Sequence, residues 1–252
     1  MTASLLILFL LDLVNAPRVI PSDRGAVVVS DKSGTVRWRA EWTMEPIERE
    51  GHRLVRFTEQ GRGRVSAFQQ EVRWSLEAAW RADNAFQPID FEKTINTASG
   101  AMLSSEKKHF DLEKNTVRLE GQTRGGRTET KTLPVPGDTL AVEGIAGILR
   151  FVPFERSQSF AAHLLSNEPR LYDVTFETRG KEMVKTPAGD FECYKVQLVP
   201  HLGILNVFRA FYSKAFFWFT VAPPHVWVRY EGPENGPGTP DVVMELDREN
   251  PQ

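Results

Sequence analysis

Gly180-Lys-Glu-Met-Val-Lys-Thr-Pro-Ala-Gly-Asp-Phe-Glu-Cys-Tyr-Lys-Val-Gln-Leu198 is the stretch that decides the fold class. Pro187 fixes φ at one corner of a turn and Gly189 can take a positive φ without penalty. The chain can therefore reverse here and pair its two flanks antiparallel. Just upstream, Tyr172, Val174, Phe176 and Thr178 alternate with polar residues. Alternation with a period of two puts one face of a strand in the core and the other in water.

The same pattern recurs in both directions. Val36, Trp38, Ala40 and Trp42 alternate with Arg37, Arg39 and Glu41, and Val72, Trp74, Leu76, Ala78 and Trp80 form a second long ladder. Phe110-Asp-Leu112 and Val117-Arg-Leu119 flank Glu-Lys-Asn-Thr, a four-residue hairpin loop. Toward the C-terminus, Phe216 to Ala222 is apolar on both faces, which predicts a strand covered on both sides. Pro223-Pro224 turns the chain into two alternating runs, His225 to Glu231 and Val242 to Leu246, which read as outer strands of a three-stranded meander. Helical signals are few. Asp138 or Thr139 caps a short helix carrying Leu140, Ala141, Ile145, Ile148 and Leu149 before Pro153, and Ile204 to Ser213 is a second candidate. The expected fold is mostly β: one long, curved antiparallel sheet, a half-barrel or clam, with one or two short helices on its concave face.

Composition bounds the function. The 252 residues carry 31 basic and 33 acidic side chains, a formal net charge of −2, so no basic field gathers nucleic acid. The apolar run Leu5 to Leu11, with Val14 and Ala16 set like a cleavage site, predicts a signal peptide over residues 1–16, a periplasmic or otherwise exported protein, and a single β-rich domain over 17–252. No Lys or Arg precedes that run and Asp12 interrupts it, both departures from the usual pattern. The run is too short to cross a bilayer, so no transmembrane span is expected. Cys193, the single cysteine, reads as a small buried apolar side chain.

Catalytic signatures are scarce. His52, His109, His163, His201 and His225 lack metal-ligand spacing, so neither a metal nor a cofactor is expected. Ser104-x-x-Lys107 and Ser105-x-x-Lys108 match a serine–lysine spacing but sit in a polar stretch that reads as a loop. Glu41, Glu77, Glu177, Glu192 and Glu231 lie on expected strands, where paired carboxylates could serve glycosidic chemistry. Alternation puts them on the water side instead.

Gly-x-Glu-x-Val-x-Thr-Pro-x-Gly-x-Phe-x-Cys-x-Lys-Val, the aromatic strand with Trp218, the paired strand Val226 to Glu231 and the closing Val-Val-Met-Glu-Leu together resemble the bacterial family called domain of unknown function 3108. The likeness runs from about Trp38 to Leu246. It implies an exported or envelope-associated protein with a strongly curved sheet resembling the β-clam of lipoprotein carriers, and it implies no established activity.

What the residues themselves offer is aromatic bulk, 16 Phe, 6 Trp and 4 Tyr, with four indoles on one parity of two long strands. Such a face is either plugged by the short helix or left as a cleft. Trp80, Phe176, Tyr194 and Trp218 are the expected ligand-binding residues, each a large side chain assigned to the inward face. A non-enzymatic module for a lipid or a lipidated envelope protein follows. A carboxylate hydrolase of envelope glycan or lipid, and a structural protein that pairs through a sheet edge, are the alternatives.

Overall fold

The computed structural model describes residues 20–82, 86–123, 126–156, 158–168, 170–201, 213–236 and 238–248. The expected signal segment and most of the second helix candidate lie outside these. Fifteen strands form one sheet in the order β8-β7-β6-β5-β4-β3-β2-β1-β15-β14-β13-β12-β11-β10-β9. The first half is an unbroken meander: β1 (Asp23–Asp31), β2 (Val36–Arg49), β3 (His52–Gly63), β4 (Val72–Arg81), β5 (Gln87–Thr97), β6 (Met102–Asp111), β7 (Thr116–Thr123) and β8 (Thr128–Pro134). The second half comprises β9 (Thr139–Ala141), helix α1 (Ile145–Leu149), β10 (Ser159–Leu165), β11 (Leu171–Thr186), β12 (Gly189–His201), β13 (Ala215–Thr220), β14 (Trp227–Pro233) and β15 (Asp241–Asp247). Strand β15 closes against β1, Val27 opposite Leu246.

This connectivity forces the curvature. Strands β8 and β9 are the two outer edges of the sheet, yet the chain runs from Pro134 to Thr139 and can span at most ~18 Å. Fourteen interstrand steps laid flat would separate the edges by ~67 Å. The sheet must curl until its edges meet, and β9 packs over β5 on the concave side. No ladder joins β8 to β9, so the result is an open clam.

The hairpin at Pro187-Ala188 forms as its sequence dictates. Thr186 pairs with Gly189, and the Ala188 N–H donates to Thr186 Oγ1 at 3.2 Å. Asp111 pairs with Thr116, so the hairpin loop keeps the expected four residues but is Leu112 to Asn115, one position earlier than the sequence suggests. Apolar-in alternation runs along β4, where Val72, Trp74, Leu76, Ala78 and Trp80 are buried and Arg73, Ser75 and Glu77 are exposed, with Ala79 the one buried residue of the other parity.

Four expectations are corrected. The sheet is mixed, because β9 pairs parallel with β10. Leu140 and Ala141 belong to β9, and the helix is confined to Ile145–Leu149. Pairing with β10 captures Thr139 to Ala141, and Gly144, left-handed at φ 65°, turns the chain into the helix. Strands β14 and β15 lie in the middle of the sheet, since alternation reports the two faces of a strand and not its place in the order. Ser104 to Lys108 is part of β6. There, residues three apart project to opposite faces, so neither serine is set beside its lysine.

The concave face carries the main core. It joins Met44, Phe57, Trp80 and Phe91 from one half with Phe160, Phe176, Tyr194 and Phe219 from the other. Segment 135–154 lies between them and buries Leu140, Ile145, Ile148, Leu149, Val152 and Phe154. A neighbouring cluster on β1, β2, β4 and β15 is built round Trp38 and Trp74, edge-to-face at 6.4 Å.

Candidate functional site

The plug fills only part of the clam. A cavity of about 610 Å³ remains between α1 and the sheet, within the ~300–1,000 Å³ of small-molecule sites. Trp42, Phe57 and Leu76 form its wall on the first half of the sheet, and Val142, Ile145 and Ala146 come from the plug. Tyr172, Val174, Leu198 and Phe217 face them from the second half, with Trp227, Tyr230 and Met244 across the central strands. The rings are held by one another: Trp42 stacks on Phe57 at 6.1 Å, and Phe217 lies 5.0 Å from Tyr230.

Gly144 sets how closely the plug approaches. A Cβ there would stand 2.4 Å from Trp80 Cη2, so the loop lies directly on that indole. Two ion pairs anchor the loop. Lys108 of β6 donates to Glu143, with both side chains 5% exposed, and to the Ser166 carbonyl at 3.4 Å. Arg150, 2% exposed, donates from Nη1 to Asp23 at 2.6 Å and from Nε to the Pro224 carbonyl at 3.2 Å.

The charged residues bordering the cavity are balanced. Glu143 has Lys108, Arg150 has Asp23, and Glu234 lies 3.1 Å from Arg37. Glu59 and Lys93 flank Leu76 on adjacent strands, and Glu59 accepts the Trp74 indole N–H at 2.7 Å. Burial raises the Tyr230 phenol well above its ordinary range, and its hydroxyl donates to the Pro233 carbonyl at 2.8 Å. The phenol therefore stays neutral. None of the five strand acids singled out from the sequence borders the cavity. Glu41, Glu77 and Glu192 are exposed, while Glu177 pairs with Arg179 and Glu231 with Arg229. Among the described residues, no group of His, Cys, Asp and Glu is placed to hold a metal ion.

A family model described as "Protein of unknown function (DUF3108)" matches residues 28–247. The chain belongs to this family. None of the curated proteins compared with it matches. Two solved structures align over 92% of this chain and 96% of theirs, each at 11% identity and a TM-score of 0.34. One is from Bacteroides fragilis and described as "a putative exported protein with YmcC-like fold"; the other is from Parabacteroides distasonis and described as "a putative lipoprotein". No described helix of this DUF3108 chain is long and apolar enough to cross a membrane.

The four residues expected at the site are brought together only in part. Trp80, Phe176 and Tyr194 share the concave core, 1%, 1% and 6% exposed, but none of them borders the cavity. Trp80 lies edge-to-face against Phe57 and Phe91, Phe176 stacks on Phe160 at 4.9 Å, and Tyr194 packs on Phe154. Trp218 is on the other face of the sheet, with Val184, Cys193 and Val228. Period two explains this: Ala215, Phe217 and Phe219 occupy the concave side of β13, so Trp218 must point away. Its indole N–H donates to Glu182 at 2.6 Å. Because the β13 run is apolar on both faces, parity could not be read from it.

The cavity walls of this DUF3108 protein were partly legible. Trp42, Phe57 and Leu76 follow from alternation. Tyr172, Leu198, Trp227 and Met244 are half-buried positions whose exposure depends on where the plug stops, which no local pattern encodes.

Proposed function

We propose that the protein is an exported, non-enzymatic binding protein whose concave groove takes up a hydrophobic or amphipathic ligand. The observation that carries this reading is the apolar cavity of about 610 Å³ between the short plug and the inner sheet face. A large concave apolar surface with a few polar groups is the ordinary character of a ligand site. Leu5 to Leu11, with Val14 and Ala16 beyond, supports export. The carboxylates bordering the cavity each have a partner, so none stands as a free acid–base pair.

The test is uptake of the uncharged dye 1-N-phenylnaphthylamine by wild type and by Ala146→Trp, which sets an indole into the groove from α1. Wild type should brighten the dye with 1:1 saturation, and the variant should not while melting at a similar temperature. Equal uptake by both proteins, or none by wild type, would refute a ligand site in the clam.

A further inference from the structure

Strand β8 ends the sheet, and β9 meets the concave face at β5, which leaves β8 uncovered. Six of its seven residues are exposed, Leu133 alone being half-buried. The ladder with β7 fixes which backbone groups of this edge are spare. At its two ends the Thr123 N–H donates to the Arg127 carbonyl at 3.4 Å and the Val135 N–H to the Asn115 carbonyl at 2.8 Å. Bonded pairs recur at every second position of an antiparallel ladder, so Glu129, Lys131 and Leu133 turn their N–H and C=O groups toward β7. Thr128, Thr130 and Thr132 therefore direct theirs away from the sheet, three donors and three acceptors without a backbone partner among the described residues.

Such a row is a template for a further strand, and its side chains select which one. In Thr128-Glu-Thr-Lys-Thr132 opposite charges flank Thr130 symmetrically. When two copies pair antiparallel with Thr130 opposite Thr130, Thr128 falls opposite Thr132, and all the spare donors of both chains find acceptors. Each Glu129 then stands opposite the other copy's Lys131, in the non-hydrogen-bonded pairs where side chains approach most closely. Within one copy, Glu129 has only Arg127 at 3.5 Å, both largely exposed, and Lys131 has no ion pair among the described residues. The ends of the register agree. Pro134 has no N–H, and Gly126 already donates its own to the Thr123 carbonyl at 2.8 Å. These two residues fall opposite each other, just beyond the last bonded pair. A shift of two residues either way sets Thr130 against Gly126 or Pro134, which loses a bond, and parts Glu129 from Lys131.

We propose that β8 is a self-association edge: two copies of the chain join β8 to β8 about a two-fold axis through Thr130, so that one sheet runs through both clams. The edge takes no part in the groove, and the inference is independent of the ligand reading. Pairing along one short strand buries less surface than the ~1,200 Å² of a stable interface, so the dimer is weak and half of the chains should be paired at about 100 µM.

The experiment is sedimentation velocity of the full chain over a concentration series spanning that value. Glu129→Lys sets bases against bases and Lys131→Glu sets acids against acids, so each should raise the dissociation constant at least about ten-fold. Both positions are exposed, and each variant should melt close to wild type. The double variant Glu129→Lys/Lys131→Glu restores opposite charges and should dimerise like wild type. Mixing the two single variants should give a heterodimer, since every facing pair is then of opposite sign. A wild type that stays monomeric throughout the series would overturn the proposal, as would dimers that persist in either single variant. A double variant or a mixture that stays monomeric would overturn it equally.

Discussion

Lys108 on β6 and Glu143 before α1 form an ion pair in which both side chains are only 5% exposed, and that pair fastens the plug to the first half of the clam. Desolvating two charges is costly, and their attraction offsets that cost only while both are present. Lys108→Met should therefore destabilise the protein by about 3–5 kcal/mol, because Glu143 is left buried and uncompensated. The double variant Lys108→Met/Glu143→Leu should recover most of that loss. Urea unfolding of the three proteins checks this, and a double variant as weak as the single would contradict it.

Trp80 and Gly144 make a second contact of the plug. Trp80→Ala should cost about 3–5 kcal/mol, since the indole is 1% exposed among Phe57 and Phe91. Gly144→Ala should cost about 1–3 kcal/mol, because φ is 65° and the new methyl would meet the indole. With the indole gone that clash disappears, so the double variant should lose less than the two single losses combined. Strict additivity in denaturant titrations would show that the two do not touch.

Cys193 is fully buried on the outer face beside Trp218 and Val228, and burial pushes its thiol up to about 12. Ellman's reagent at pH 8 should leave it unlabelled in the native protein and label one thiol per chain in denaturant. The sign for stability follows. Above the ordinary thiol value near 9 the unfolded chain ionises and the folded one does not, so stability declines as pH rises through that window. Rapid native labelling would contradict the packing of this face.

Glu182 is held below the usual carboxylate range, first by the Trp218 indole N–H, with burial opposing and Lys195 assisting. A depressed carboxylate contributes stability above the unfolded value near ~4.3 and loses it as pH falls through the lower folded value. Glu182→Gln should therefore narrow the gap between urea midpoints at pH 7 and pH 3. An unchanged gap would mean that the Trp218–Glu182 bond does not persist in solution.

The sheet was readable because alternation survives across β2, β4, β11 and the Pro187-Ala188 turn, where local chemistry and global pairing agree. Leu140 and Ala141 misled: their spacing suits a helix, yet they are buried as β9 beside β10, a parallel pairing set by distant residues. Trp218 misled for the opposite reason, since a run apolar on both faces has no parity to read. At the site, aromatic content pointed to a concave face, but which rings border space and which are packed solid depends on the reach of the plug. Trp80 touches the plug and Trp42 stands beyond it.

That difference gives the most direct measurement. Trp42 and Trp227 border the groove, whereas Trp38, Trp74, Trp80 and Trp218 do not. Titration with a dibrominated stearoyl monoglyceride should quench part of the tryptophan emission saturably, and Trp42→Phe/Trp227→Phe should abolish the quenching while leaving the remaining four indoles bright. Quenching that persists in the double variant, or that never saturates in wild type, would contradict a ligand seated in the clam.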